Sequence, residues 1–272
     1  MKHLKINKFA LITGASGLLG QYHADALAEI GYNLVLVDIN STQLSKLKKN
    51  LSLKFKNVRK FFYQCDITKE KQVKNLKMKL EKNNIFINCL VNNADNNPTM
   101  IKGKGMKNYK LENYKSENLN EEIKVGIFGT FICSKYFGSS MSKKGGGIII
   151  NISSDLGIKA PDQRIYDRSE NILKVKNFKP ISYSISKHAI HGITKYISTY
   201  WGHKNVRCNT LALGAVFNNQ SKSLVKNVKK RIPLNRWAKK TEYKKAVQFL
   251  ANEENSYMTG QTLTVDGGRT IW

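Results

Sequence analysis

The sequence predicts an α/β chain, a doubly wound parallel sheet of about seven strands with helices on both faces. Three observations predict it. Short apolar runs alternate with segments of helical period from one end to the other, the pattern of strands joined by crossover helices. A glycine-rich turn links the first apolar run to the first helix. Finally, 272 residues with 41% hydrophobic content can bury one large core and are short for two, so residues 1–272 are expected to form a single domain.

Taken in order, the expected strands are Phe9 to Ile12, Leu34 to Val37, Lys60 to Gln64, Cys89 to Val91, Gly147 to Ile152, Val206 to Ala212 and Thr262 to Val265. Between them, Leu18 to Ile30 reads as a helix closed by Gly31 at its C-terminal cap, and Lys69 to Lys82 carries Val73, Leu76 and Leu80 on one face. Glu121 to Met141 is long and mostly apolar. Tyr183 to Tyr200 places Ile190, Ile193 and Ile197 on one stripe, and Glu242 to Leu250 does the same with Tyr243, Ala246, Val247 and Leu250. Two stretches break the rhythm, Asn96 to Asn120 and Ala160 to Pro180. Both follow strands, where long loops contact substrates.

Composition narrows the function classes. The basic stretch Met1 to Lys8 is too short for a secretory leader, and no run of about 18 or more apolar residues occurs, which predicts a cytoplasmic protein without a membrane span. Cys65, Cys89, Cys133 and Cys208 form no CxxC pair and each sits in or beside an apolar run, so buried thiols are expected, with no metal site. Lys+Arg number 46 against 19 Asp+Glu, a net charge of +27. The lysines are spread along the chain among asparagines, which argues for solvated surface positions and against nucleic acid as a partner.

Thr13-Gly14-Ala15-Ser16-Gly17-Leu18-Leu19-Gly20 follows the first strand and opens the first helix. Such a turn brings backbone N–H groups close to a pyrophosphate at a helix N-terminus, where negative charge is favoured. Gly14, Ser16, Gly17, Leu19 and Gly20 are the candidate contacts. Asp38 ends the second strand, 18 residues after Gly20. Its carboxylate suits ribose hydroxyls and opposes the extra phosphate of NADP, which predicts NAD in preference to NADP on a Rossmann-type sheet.

The Thr13-Gly14 turn, Cys65-Asp66-Ile67, Val91-Asn92-Asn93-Ala94, Asn151-Ile152-Ser153-Ser154 and Tyr183-Ser184-Ile185-Ser186-Lys187 together resemble the ordered signature of short-chain dehydrogenases/reductases, over roughly residues 6–270. The resemblance implies that Asp66 and Ile67 hold the adenine, that Asn92 and Ala94 support the cofactor beside the sheet, and that Lys187 holds the nicotinamide ribose. Gly214 and Val216 would stand at the sixth-strand exit near the nicotinamide amide. It also implies a homodimer or homotetramer, paired through the Glu121 and Tyr183 helices. The chain departs from the family pattern at Leu18, where a second glycine is usual, at Gly126, near the position of a proton-relay asparagine, and at Leu213-Gly214, where Pro-Gly is usual.

Hydride transfer at a carbonyl carbon requires a proton at its oxygen, from an acid/base whose pKa lies near neutrality. A phenol ionises near ~10. An ammonium one helical turn onward stabilises the phenolate, and Tyr183 and Lys187 have that i, i+4 spacing. Tyr166 lies nearer the serines but has Glu170 at i+4, so Tyr183 is preferred, 29 residues after Ser154, with an insertion around 158–181 over the site. Ser154 is the candidate for polarising the substrate oxygen, with Ser153 second.

The insertion, Ser154-Asp155, Lys187-His188, Tyr200-Trp201, Gln220 and the ending Asp266 to Trp272 resemble a subgroup from bacterial surface-polysaccharide and flagellin-glycosylation clusters, associated with nonulosonic-acid precursors. That resemblance implies a phosphorylated or nucleotide-linked sugar as the small-molecule substrate. Asp155, Gln163 and Arg164 suit hydroxyls or phosphate. A second enzymatic reading is reduction of a 3-oxoacyl thioester or other small carbonyl, for which an apolar pocket would speak. A third, from another class, is a non-catalytic basic binding protein on the same scaffold, motivated by the charge.

Overall fold

The computed structural model describes residues 8–96, 109–166 and 177–272. Seven parallel strands form one sheet in the order β3-β2-β1-β4-β5-β6-β7. They are β1 Phe9–Thr13, β2 Asn33–Asp38, β3 Lys60–Gln64, β4 Ile87–Asn92, β5 Gly147–Ser154, β6 Val206–Leu213 and β7 Thr262–Val265. All seven expected strands are present. Several run on past the last apolar residue, because backbone pairing continues through polar positions: Asn92 pairs with Asn151, and Ser154 with Leu213.

Alternate strand residues feed two cores. Ala10, Ile12, Leu34, Leu36 and Ile150 pack on one face with Leu27 of α1 (Gly20–Glu29) and Val247 and Leu250 of α9 (Lys244–Ala251). Phe9, Leu11, Val35, Val37 and Ile149 pack on the other, with Val73, Leu76 and Leu80 of α3 (Glu70–Lys82) and Ile197 of α7 (Ile181–Trp201). Burial on both faces is why these strands read as uninterrupted apolar runs.

Two helices were not legible in the sequence pattern. α2 (Ser41–Lys54) buries Leu44, Leu47 and Leu51 and is capped by Asn40 Oδ1, which accepts from the Gln43 N–H at 3.0 Å. α8 (Lys222–Lys229) buries Leu224 and Val228 behind a Ser221 cap. In both, lysines dilute the apolar stripe. The expected helix Glu121 to Met141 is a longer helical run made of α4 (Ser116–Ile123), α5 (Thr130–Cys133) and α6 (Ser139–Lys143), joined by π-helical stretches at Lys124–Gly129 and Ser134–Gly138.

Of the two loops expected to be long, residues 97–108 and 167–176 lie outside the described residues. What is described there contains the 3₁₀ turns Leu111–Asn113 and Gln163–Tyr166. The four cysteines are buried and free. Among the described residues no helix is long and apolar enough to cross a membrane, and no group of three or more His, Cys, Asp or Glu could hold a metal ion. β1 has β2 on one side and β4 on the other, so the crossovers leave in opposite directions and open a crevice beyond the strand C-termini.

Candidate active site

That crevice is a cleft of about 630 Å³. At one end lies the β1–α1 turn. Gly14 has φ +59°, and a Cβ there would fall 2.8 Å from the Ala94 Cα; a Cβ on Gly20 would fall 2.2 Å from the Gly14 carbonyl oxygen. The turn therefore lies flat on the exit of β4 and keeps its backbone bare. This is a cradle that side chains would fill, which fits a dinucleotide pyrophosphate. Asp38 stands at the cleft edge, its carboxylate held by the Ser16 N–H at 2.9 Å and the Asn40 N–H at 3.0 Å. Asp66 is held by the Thr68 N–H and hydroxyl at 2.9 and 2.7 Å, and Ile67 lies beside it on the wall.

Gly14, Gly17, Leu19, Asp38, Asp66 and Ile67 all line the cleft, and farther along so do Ala94, Gly214 and Val216. Three expected contacts do not. The Ser16 N–H is committed to Asp38, and Gly20 packs beneath the turn. Asn92 points into the sheet, donating to Asn151 Oδ1 at 2.8 Å and Ser134 Oγ at 3.0 Å. Successive side chains alternate in direction as a strand ends, so its neighbour Asn93 faces the cleft instead and donates to the Thr13 and Gly14 carbonyls at 3.0 Å.

At the other end, α7 begins after Pro180 and carries Tyr183 and Lys187 one turn apart, with Lys187 Nζ 5.7 Å from the phenol ring centre. The Lys187 ammonium donates to the Ile152 carbonyl at 3.2 Å and pairs with Asp95 at 2.9 Å. Burial raises the Tyr183 hydroxyl pKa above its ordinary value, with Asp95 adding to the rise. The lowering expected from Lys187 is thus outweighed by desolvation and by a nearby carboxylate. Ser154 lines the cleft and donates to Asp155 Oδ1 at 2.7 Å. Ser153 also reaches the wall, but its hydroxyl donates to the Lys187 carbonyl at 2.9 Å and so braces α7 against β5.

The substrate candidates come out differently from expectation. Asp155 lines the cleft, yet its second oxygen is paired with Arg269 at 2.5 Å, both side chains being buried, so it is a wall with its charge already used. Gln163 is off this cleft and clasps the Lys179 backbone, accepting from its N–H at 2.9 Å. Arg164 is exposed and bonded to Asp162 at 2.9 and 3.0 Å. Asp162 in turn accepts from Arg231 Nε at 2.7 Å, and the Arg164 and Arg231 guanidiniums hold its carboxyl down to about 2. With Ile165 packed on Leu224, Val228 and Ile232, these residues fasten the insertion to α8.

Three charged residues escaped the sequence reading. Asp95 and Arg269 meet their partners only through the fold. Lys179 could have been found, since it precedes Tyr183 by the same four residues by which Lys187 follows it. Its ammonium lies 3.8 Å from the Tyr183 ring centre, and burial lowers its pKa to about 8. At Gly126, a Cβ would fall 2.0 Å from Ser186 Oγ and 2.7 Å from Asp95 Oδ1, so that position has no room for an asparagine and the Asp95 carboxylate occupies the space.

A family model described as enoyl-(acyl carrier protein) reductase matches residues 14–270. The chain belongs to the short-chain dehydrogenase/reductase family of oxidoreductases. It is 29% identical to a 7α-hydroxysteroid dehydrogenase of Bacteroides fragilis over 271 residues, 97% of this chain and 95% of that protein. Among solved structures it is similar to a short chain dehydrogenase from Leptospira borgpetersenii with bound NAD+, with a TM-score of 0.82 and 29% identity over 97% of this chain and 93% of the other. A gluconate 5-dehydrogenase from Burkholderia cenocepacia, in complex with NADP and tartrate, also superposes with a TM-score of 0.82, at 25% identity over 97% of this chain and 96% of that one.

Proposed function

We propose that this chain is an NAD-preferring oxidoreductase that moves a hydride between nicotinamide and a carbinol or carbonyl carbon of a sugar-like substrate, with Tyr183, Lys187 and Ser154 as its catalytic group. The observation that carries this reading is one cleft with the Asp38-edged glycine turn at one end and Tyr183, Lys187 and Ser154 at the other. Bound nicotinamide supplies or accepts the hydride, and its oxidised form adds a positive charge near the phenol.

The chain's residues do the rest. Backbone N–H groups around Gly14 and Gly17 receive the pyrophosphate, Asp38 the adenosine ribose, and Asp66 and Ile67 the adenine. Ala94, Gly214 and Val216 flank the nicotinamide end, and Lys187 holds its ribose. In reduction Tyr183 gives its hydroxyl proton to the substrate oxygen, and in oxidation it takes that proton back. Ser154 holds the same oxygen. NAD is favoured because the Asp38 charge opposes a ribose phosphate and the residues that follow, Ile39 and Asn40, are neutral.

A phosphorylated or nucleotide-linked sugar, as in surface-glycan and flagellin-modification chemistry, is supported by Tyr166, Lys179, Gln220 and Arg269 on the cleft wall. These side chains match hydroxyls and phosphate, and the gluconate dehydrogenase relative is a precedent for a polyhydroxylated substrate. One observation favours a second reading: Ile165, Leu224, Val228 and Trp237 line the same wall, as a 3-oxoacyl thioester or other small carbonyl compound would want. We further infer a cytoplasmic homodimer or homotetramer. Four free cysteines suit a reducing compartment, and exposed Phe128, Phe131, Tyr196 and Tyr200 on the outer helices suit subunit contacts.

The test is NADH turnover against phosphorylated sugars, nucleotide-linked sugars and 3-oxoacyl thioesters, followed by Tyr183→Phe on the best substrate. The variant is expected to lose about 10²–10⁴-fold in kcat while still binding NADH. Unchanged turnover would remove the proposal.

A further inference from the structure

Tyr183 stands in an unusual charge set. Lys179 Nζ lies 3.8 Å from its ring centre and Lys187 Nζ 5.7 Å. Asp95 Oδ2 lies 2.9 Å from the Lys187 ammonium, and the two side chains are only 11% and 7% exposed. Seen from the phenol, a buried ammonium with a carboxylate at that distance is close to a neutral dipole, so much of its support for a phenolate is cancelled. The Lys179 ammonium is nearer, is itself buried, and lies against the ring, where a cation is attracted by the aromatic quadrupole and more strongly by a phenolate.

The other groups around it do not supply a net cation. Asp155 and Arg269 are paired with each other. Tyr166, on the insertion, is a neutral phenol whose own pKa is raised by burial. Glu122, from α4, accepts from the Ser182 hydroxyl on α7 and acts on Lys179 as a further negative charge, as Asp95 and Asp155 do.

We propose that Lys179 is a positioning residue of the reaction, the cation that stabilises the Tyr183 phenolate, because Asp95 cancels much of the charge of Lys187. This rests on Tyr183 as the proton donor. The insertion then contributes to chemistry: clasped by Gln163 and followed directly by Pro180 and α7, it delivers an ammonium to the ring.

The measurement is a near-ultraviolet titration of phenolate absorbance on the full chain saturated with NAD+, with Tyr183→Phe subtracted to isolate one ring among the twelve tyrosines. In Lys179→Met the Tyr183 midpoint is expected to rise by about one pH unit or more, a tenfold loss of phenolate at fixed pH. Lys179→Arg is expected to keep the parental midpoint. Asp95→Asn is expected to lower it, and in the double variant Asp95→Asn is expected to bring Lys179→Met back toward the parent, which a purely structural role for Lys179 would not do. If Lys179→Met does not fold, Lys179→Gln is read in the same way. An unmoved midpoint, or a rise that Asp95→Asn leaves in place, overturns the inference. Tyr183→Phe retaining turnover would instead sink the catalytic reading beneath it, so the two failures are separable.

Discussion

The two ends of the cleft are built by different means. At the dinucleotide end, geometry comes from backbone: Gly14 in a left-handed conformation, Gly20 pressed on the turn, and N–H groups of Ser16 and Asn40 on one carboxylate. At the substrate end it comes from side-chain ion pairs between distant residues: Asp155 with Arg269, Lys187 with Asp95, Asp162 with Arg231. A backbone-built site excludes side chains and tolerates few changes. A site built from charge pairs is sensitive to single replacements and tolerant of matched ones, since the cost of a buried pair lies in leaving one member alone.

The largest effect that would break this contrast is at Arg269. Arg269→Met leaves Asp155 buried and uncompensated beneath Ser154, and is expected to cost about 3–5 kcal/mol in denaturant unfolding. Asp155→Leu combined with Arg269→Met removes both charges and should recover most of that loss. If the double variant is as unstable as the single, the substrate end is held by packing and the contrast is wrong.

Why one end was legible and the other was not follows from the same difference. Gly14, Gly17 and Asp38 are required by turn geometry and a ribose contact, constraints that act within one β–α–β unit and leave a local pattern. The fold was legible for a similar reason: strands buried on both faces show as apolar runs wherever they lie. α2 and α8 escaped because lysines diluted their stripes, and Asn92 was taken for Asn93 because the exit of β4 decides which side chain faces the cleft. Asp95 and Arg269 carry no local signal at all. Gln163 and Arg164 had suitable chemistry, but their hydrogen bonds close the insertion on itself.

The contrast can be sharpened by pH. His23, on α1, is fully buried, and burial lowers its pKa from 6.5 to about 4. A histidine whose folded pKa lies below its unfolded value contributes stability that is complete above about pH 6.5 and is lost as pH falls toward 4. By pH 5 the loss is expected to be about 2 kcal/mol relative to pH 7. His23→Gln should remove that part of the slope while leaving the slope from other groups in place. Parallel pH curves for parent and variant would show that the helix behind the dinucleotide turn does not carry this strain.

The smallest expected effect lies at Asp38, where only a charge is at stake. Asn has the shape of Asp but cannot accept on both arms, so Asp38→Asn gives up one of the two backbone hydrogen bonds and the negative charge together. NADH affinity should fall by about 1–1.5 kcal/mol, roughly tenfold. NADPH should lose less, because relief from opposing the ribose phosphate offsets the lost hydrogen bond. The ratio of the two dissociation constants, measured by fluorescence titration, is therefore the informative quantity. A ratio unchanged between parent and variant would mean that Asp38 serves only to fix the turn, as its bonds to Ser16 and Asn40 already do, and that cofactor choice is made elsewhere on the wall.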